Sequence, residues 1–229
     1  NVKKLNLDIK KFDKFKDKIE YLIIDDLPIN VKSKKKNWHD NHLRDQYQRN
    51  SLERGYRNCD PDDLIMISDI DEIPDPYKIK EFDIKKRYAC LIQKNFQSKL
   101  NLLNITDKNW PGTKICQKKF LKSPQWLRNL KVKKKSILGI FKNNIQIINN
   151  GGWHFSFLKD PKDIVTKINS YSHQEFNKPE FVDTNKIKKT INNKKDLFGR
   201  EIKYERVNVD QQFPEYIVNN KDKFSEWII

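Results

Sequence analysis

Apolar residues along this chain collect in short continuous runs bounded by proline, glycine and acidic residues. The clearest is Leu64-Ile-Met-Ile-Ser68, with Pro61 on one side and Pro74 and Pro76 on the other. Such a run predicts a central strand buried on both faces, as in parallel α/β sheets. Tyr21-Leu-Ile-Ile24, ending at Asp25-Asp26 and Pro28, predicts an earlier buried strand. Further strands are expected over residues 88–97, 113–121, 145–148 and 153–158. Helices are expected over 41–58, 160–172, 184–193 and 214–228, with Asp160 and Pro161 as N-cap and first position of the second. Residues 30–40 are basic and polar and predict an exposed loop. Strands and helices alternate early and strands then cluster, which indicates an α/β domain with a mixed sheet. No internal repeat or linker interrupts it.

Composition supports a packed domain. The 229 residues are 36% hydrophobic and 11% aromatic, enough for a core, and length allows one sizeable domain. The net charge of +16 raises nucleic acid as a partner. The excess, however, is mostly scattered Lys runs such as Lys34-Lys35-Lys36, without the interleaved Arg forks and aromatics of a nucleic-acid surface. Abundant Lys, Asn and Ile also fit the amino-acid usage of an AT-rich genome. Three cysteines, Cys59, Cys90 and Cys116, show no zinc-site spacing and favour a reduced setting. No apolar run approaches the ~18 residues of a membrane helix. The expected location is cytoplasmic, or the Golgi lumen where an upstream anchor has been removed.

The candidate chemistry centres on Ser68-Asp69-Ile70-Asp71-Glu72. An apolar strand ends in two carboxylates at i and i+2, which strand alternation would point the same way. In open α/β sheets ligands bind at such strand ends. Paired carboxylates repel unless a cation sits between them, and a hard ion, Mn²⁺ or Mg²⁺, would leave positions open for phosphate oxygens. The alternative is an ordinary acidic turn. Gly151-Gly152-Trp153-His154 is the second feature: glycines permit close backbone approach to a ligand, and an imidazole can complete a Mn²⁺ shell. Trp110 in Trp110-Pro-Gly-Thr113 could offer a sugar an aromatic platform, with Trp153 as a second, or could plug the core edge. On the helix over 41–58, Gln46, Arg49, Asn50, Glu53 and Arg57 share one polar face, either solvated or turned toward the site. Between Ile84 and Lys159 the only carboxylate is Asp107, so a general base should come from Glu72 or Asp75 near the pair, or from His173-Gln174-Glu175. Neither a P-loop nor a dinucleotide-binding glycine motif is present.

In order along the chain, Gln48-Arg49-Asn50, Ile67-Ser-Asp-Ile-Asp-Glu-Ile-Pro74, Trp110-Pro-Gly-Thr113, Gly151-Gly-Trp-His-Phe-Ser156 and Ser172-His-Gln-Glu-Phe176 resemble glycosyltransferase family 17. That family includes the bisecting β-1,4-N-acetylglucosaminyltransferase of N-glycans. The resemblance implies a single GT-A-type, Rossmann-like domain with a central mixed sheet flanked by helices. It implies a UDP-sugar donor, UDP-GlcNAc in the family pattern, a glycan or glycoprotein acceptor, and inversion at the anomeric carbon. By the same likeness Asp69 and Asp71 match the metal motif and His154 the C-terminal metal-binding His. Arg49, Asn50 and Asp69 fall on the donor side, with Gly151 and Gly152. Family members also carry a strand and loop ahead of the position where this sequence begins, so that segment of the domain is expected to be missing here. Glu175 is the favoured base and Glu72 its rival. Two other classes share some of these features: a metal-dependent phosphotransferase or nuclease, and a basic nucleic-acid-binding module.

Overall fold

A computed structural model describes residues 8–28, 40–132, 145–170 and 174–229. Helix α1 (Asp40–Asn50) and the one-turn α2 (Glu53–Tyr56) precede strand β1 (Leu64–Ile67), β2 (Glu72–Pro74) and the short α3 (Pro76–Ile79). Strands β3 (Tyr88–Gln97), β4 (Leu102–Asn104) and β5 (Asn109–Gln117) follow, then α4 (Pro124–Arg128), β6 (Ile145–Ile148) and β7 (Gly152–Ser156). Helices α5 (Pro161–Ser170) and α6 (Thr184–Asn192), strand β8 (Tyr204–Arg206) and α7 (Glu215–Val218) complete the order. The expected basic loop over 30–40 lies outside the described residues apart from its last position, as do Tyr171, Ser172 and His173.

The sheet is organised around β3. On one side it pairs antiparallel with β5 over most of its length and with β4 at Phe96↔Leu103. On the other it pairs parallel with β6 over Tyr88–Leu91 and with β7 over Lys94–Gln97. Strands β6 and β7 therefore run in line along the same edge of β3. Strand β1 lies outside β5, antiparallel, and β2 lies outside β7, antiparallel. Residues 68–71 must carry the chain from the β5 side of the sheet to the β7 side.

This arrangement corrects several expectations. Strand β1 is an edge strand, with Ile65 and Ile67 buried and Leu64 and Met66 exposed. An apolar run is compatible with an edge strand: here β5 pairs with one edge of β1, and only the face of Ile65 and Ile67, packed with Leu127, is covered. Residues 21–24 form no strand, and Tyr21 and Ile23 are exposed. The helix expected over 41–58 breaks after Asn50 and resumes for one turn. The segment Trp110–Thr113 is not a loop but the first half of β5, and the helix expected over 214–228 is a short α7 followed by a 3₁₀ turn over Lys221–Trp227.

Alternation along β3 builds two unlike layers. Ala89 and Leu91 pack with Ile115 and Ile148, and Phe96 with Phe155 and Phe213. Gln93, Asn95 and Gln97 have the same parity as Ala89 and Leu91 and opposite to Phe96, and all three are buried although polar. Helices α5 and α6 close against each other through Ile164, Ile168, Ile187 and Ile191, each pair spaced i, i+4 on one helical face. Fully burying an Ile side chain stabilises by about 1.5–3 kcal/mol, which explains why two short, lysine-rich helices hold together.

Candidate active site

The segment 68–72 crosses above the polar residues of β3, and this crossing assembles the site. It is a turn rather than a strand end: the Glu72 N–H bonds the Asp69 carbonyl at 3.0 Å, and Ile70 is fully exposed. A turn does not alternate its side chains as a strand does, so Asp69 and Asp71 do not share one set of partners.

Asp69 is held by two guanidinium groups. Arg49 donates to Oδ1 at 3.0 Å and Arg128 to Oδ2 at 2.9 Å. Burial raises the Asp69 pKa, but Arg128 and Arg49 outweigh it and hold the carboxyl below its ordinary value. Arg49 also donates to Gln125 Oε1 at 2.6 Å, and Asn50 Oδ1 accepts the Gln125 backbone N–H at 3.0 Å. The polar stripe of α1 thus anchors α4, which carries Arg128. Sequence reasoning did not single out Arg128. Its side chain is 12% exposed and donates to Asp69, to Glu72 Oε1 at 2.6 Å, and to the carbonyls of Pro111 and Gly112. The only available signal was Ser123-Pro124, which caps the single turn that presents it.

Glu72 has no exposed side-chain surface. Besides Arg128 it accepts the Trp110 indole N–H at 2.7 Å and the Asp69 backbone N–H at 3.2 Å. Burial pushes its pKa above the ordinary carboxylate value, while Arg128 and the indole pull the other way. Three donors on two oxygens fit the carboxylate form. Enclosed in this way, Glu72 cannot meet an acceptor hydroxyl, so the geometry gives it a positioning role and removes it as a candidate base.

Asp71 faces a different group. Its Oδ1 lies 3.6 Å from His154 Nε2, and its Oδ2 lies 3.8 Å from Lys167 Nζ on α5. Burial raises the Asp71 pKa, and His154 and Lys167 outweigh that to leave it below the ordinary value. His154 is buried on β7 and is fixed from both sides. Its Nδ1 lies 3.1 Å from Asn95 Oδ1, and its ring stacks on Trp110 with centroids 4.3 Å apart and planes 13° apart. The Asn95 amide in turn donates to the Asp107 carbonyl at 3.0 Å, so its oxygen is the end that faces His154. Nδ1 then donates to Asn95, and Nε2 is the nitrogen that faces the Asp71 carboxylate. A proton on Nε2, or a bound cation, would hold the imidazole and the carboxylate together at 3.6 Å. A carboxylate beside an imidazole whose other nitrogen is hydrogen-bonded is a donor pair that a metal ion can use. No group of three or more metal-binding side chains is assembled among the described residues. Of the three expected metal-binding residues, Asp69 is paired with Arg49 and Arg128, and Asp71 and His154 are the two that face each other.

The remaining expected residues are placed as follows. Gly151 and Gly152 are buried between strands. A Cβ on Gly151 would meet Leu91 Cβ at 2.5 Å, and one on Gly152, where φ is +135°, would meet the Ile73 carbonyl oxygen at 2.1 Å. Their bareness serves strand packing, and the space beside each is filled by protein rather than by a ligand. Trp110 and Trp153 do not form one platform. Trp110 has a ring face covered by His154, whereas Trp153 lies next in sequence to His154 and so on the opposite face, where its indole donates to the Gln212 carbonyl at 2.8 Å. Glu175 is exposed on a 3₁₀ turn over Gln174–Phe176, beside a cavity that His154 and Phe176 both line.

These features define an α/β protein whose mixed sheet carries a buried imidazole–carboxylate pair and an arginine-bridged acidic turn. Residues 120–225 match the family model described as Glycosyltransferase family 17. The match supports membership of that family and a glycosyltransferase role for the chain. It covers Arg128, His154 and Glu175, while the acidic turn lies ahead of it. No curated protein and no solved structure matches the chain.

Proposed function

We propose that this protein is an inverting, metal-dependent glycosyltransferase that moves a sugar, GlcNAc by the family resemblance, from a UDP-sugar to a glycan hydroxyl. The observation that carries the reading is the Asp71–His154 pair: an imidazole oriented by Asn95, with its Nε2 3.6 Å from a carboxylate, a spacing that a shared cation would fill. These two side chains would hold a Mn²⁺ or Mg²⁺ ion, which when bound would supply positive charge beside the departing diphosphate. Arg49 and Arg128 hold Asp69, and through it the turn that presents Asp71, so the pair is pre-positioned before donor arrives. Stacking on Trp110 fixes the imidazole plane. Transfer is a single in-line displacement. The acceptor oxygen forms the new bond at the anomeric carbon as the bond to UDP breaks, and Glu175 takes the hydroxyl proton, a contribution of about 10²–10⁴-fold.

Titration calorimetry tests this. UDP and UDP-GlcNAc should bind in Mn²⁺, lose binding in EDTA, and lose it also in Asp71→Ala and His154→Ala. Binding that is indifferent to both metal and variants would refute the reading.

A further inference from the structure

A cavity of about 320 Å³ lies beside His154, between the polar residues of β3 and a cluster of phenylalanines. Asn95, Gln97, Trp110 and His154 line it from the sheet, and Phe176 and Phe198 line it from the segments after α5 and α6. Ligand pockets run from about 300 to 1,000 Å³, so this one has room for a single ring. We propose that it is a pyranose subsite, with the sugar's hydroxyls on the β3 amides and its C–H face on the phenylalanines.

Two observations carry the proposal. The first is an unsatisfied amide. Tyr204 Oη lies 2.9 Å from Gln97 Oε1 and 3.0 Å from Asp196 Oδ1. One phenolic proton serves one acceptor. Asp196 is gripped by both Arg200 Nε and Nη2 and by the Phe198 and Arg200 backbone N–H groups, and these hold it as a carboxylate. It therefore has the stronger claim on that proton. Whichever way the Gln97 amide is turned, one of its ends faces Tyr204 and the other is buried with no protein partner. Buried polar groups almost always have a partner, and leaving one without costs about 1–3 kcal/mol. A sugar hydroxyl both donates and accepts, so it satisfies either end.

The second observation is the opposite wall. Phe198 stands 4.3 Å from Phe176 and 5.5 Å from Phe157, centroid to centroid, which makes a continuous apolar surface facing the amides. One side polar and the other aromatic is the division a pyranose itself shows. A nucleobase would ask for stacking on both faces, and a phosphate for cations, whereas Arg200, the one Lys or Arg among the described lining residues, is committed to Asp196.

The inference rests on the transferase reading, and it places the reacting sugar next to the Asp71–His154 pair. The test uses methyl glycosides of glucose, galactose, mannose and N-acetylglucosamine, titrated by ligand-observed NMR against wild type, Gln97→Leu and Ile202→Trp. Ile202 lines the same cavity, so the second variant fills it. UDP affinity and melting temperature are measured on each protein. At least one glycoside should bind wild type, about 3- to 10-fold more weakly Gln97→Leu, and not at all Ile202→Trp, with UDP affinity and folding retained. Binding that persists under saturating UDP-GlcNAc assigns the ring to the acceptor. Displacement by UDP-GlcNAc but not by UDP assigns it to the donor's own sugar. If glycoside binding ignores both variants, or if UDP affinity falls with it, the cavity is not a pyranose subsite. If no glycoside binds while UDP-GlcNAc does, the subsite fails and the transferase reading stands. Loss of all UDP-sugar binding by wild type sinks the transferase reading itself.

Discussion

Replacing Arg128 with methionine should be among the most disruptive single changes in this protein, and its cost should depend on pH. Arg128 joins two carboxylates at 2.9 and 2.6 Å, and the one at 2.6 Å, Glu72, is wholly enclosed. Breaking a buried pair from one side typically costs about 3–5 kcal/mol, because the partner charge stays behind. Asp69 is 35% exposed and keeps Arg49, so its share is small after solvent screening. Glu72 keeps the Trp110 and Asp69 N–H donors. The loss should therefore fall near the lower end, about 3 kcal/mol, or roughly 6–12 °C in a domain of this size. Without its cation Glu72 is driven further above its ordinary pKa. A group with a raised folded pKa contributes stability below its unfolded value of 4.5, and loses that contribution as pH rises. The deficit of Arg128→Met should thus narrow as pH falls from neutral toward that value and Glu72 takes up a proton. Adding Glu72→Gln, which removes the orphaned charge, should recover most of the loss at neutral pH. Urea denaturation of both variants across that range measures all three effects. A loss under about 1 kcal/mol, or one that does not change with pH, would refute the reasoning.

Other expectations follow from single contacts. Gly152→Ala places a methyl group 2.1 Å from the Ile73 carbonyl at a φ of +135°. Backbone strain alone is worth about 1–3 kcal/mol, so the variant should melt well below wild type and bind UDP-sugar less tightly, because β2 and the Asp71 turn must shift. Asp196 has no exposed side-chain surface; burial raises its pKa, and its bonds to Arg200 and the neighbouring N–H groups more than reverse this. Its depressed pKa gives stability that is present above its unfolded value of 3.8 and is lost as pH falls through the folded value. Asp196→Asn should therefore be less stable at neutral pH and lose less between about pH 5 and pH 2, as read by melting temperature. Glu175→Gln should cut turnover by about 10²-fold or more with UDP affinity nearly unchanged; normal turnover would remove Glu175 as the base.

The fold was legible wherever local pattern and tertiary context agreed. Strand β3 and strand β6 fall within the bounds that their apolar content predicts, and α6 is missed by one residue, because Asp183 caps it and Ile187 and Ile191 mark its buried face. Failures came where pairing rather than pattern decides. Leu64–Ile67 reads the same whether its neighbours lie on both sides or one, and only the antiparallel register with β5 makes it an edge. The Trp110-Pro-Gly-Thr113 motif reads as a loop from its proline and glycine. Gly112 sits instead inside β5, where a Cβ would strike the Gln93 amide at 1.8 Å. Residues 21–24 carry apolar side chains that no strand partner claims among the described residues.

The site was legible as a set of residues and illegible as a set of partnerships. Arg49, Asn50, Asp69, Asp71, Glu72, Trp110 and His154 all fall within one connected network. Which of them pair could not be read, because every decisive contact spans a wide sequence gap: Arg128 to Glu72, 56 residues apart, and His154 to Asn95, 59 residues apart. These gaps also bear on where the function resides. Arg128 and His154 belong to the segment that matches family 17, whereas Asp69, Asp71 and Glu72 lie ahead of it. Neither part holds a complete site. The matched part contributes an imidazole and a bridging guanidinium, and the part before it contributes the carboxylates that give both a purpose. Expressed alone, residues 120–225 would leave β7 without β2 and β3, its partners on either side, and His154 without Asp71 and Asn95. Any activity of this chain therefore depends on the 68–72 crossing as much as on the segment that identifies the family.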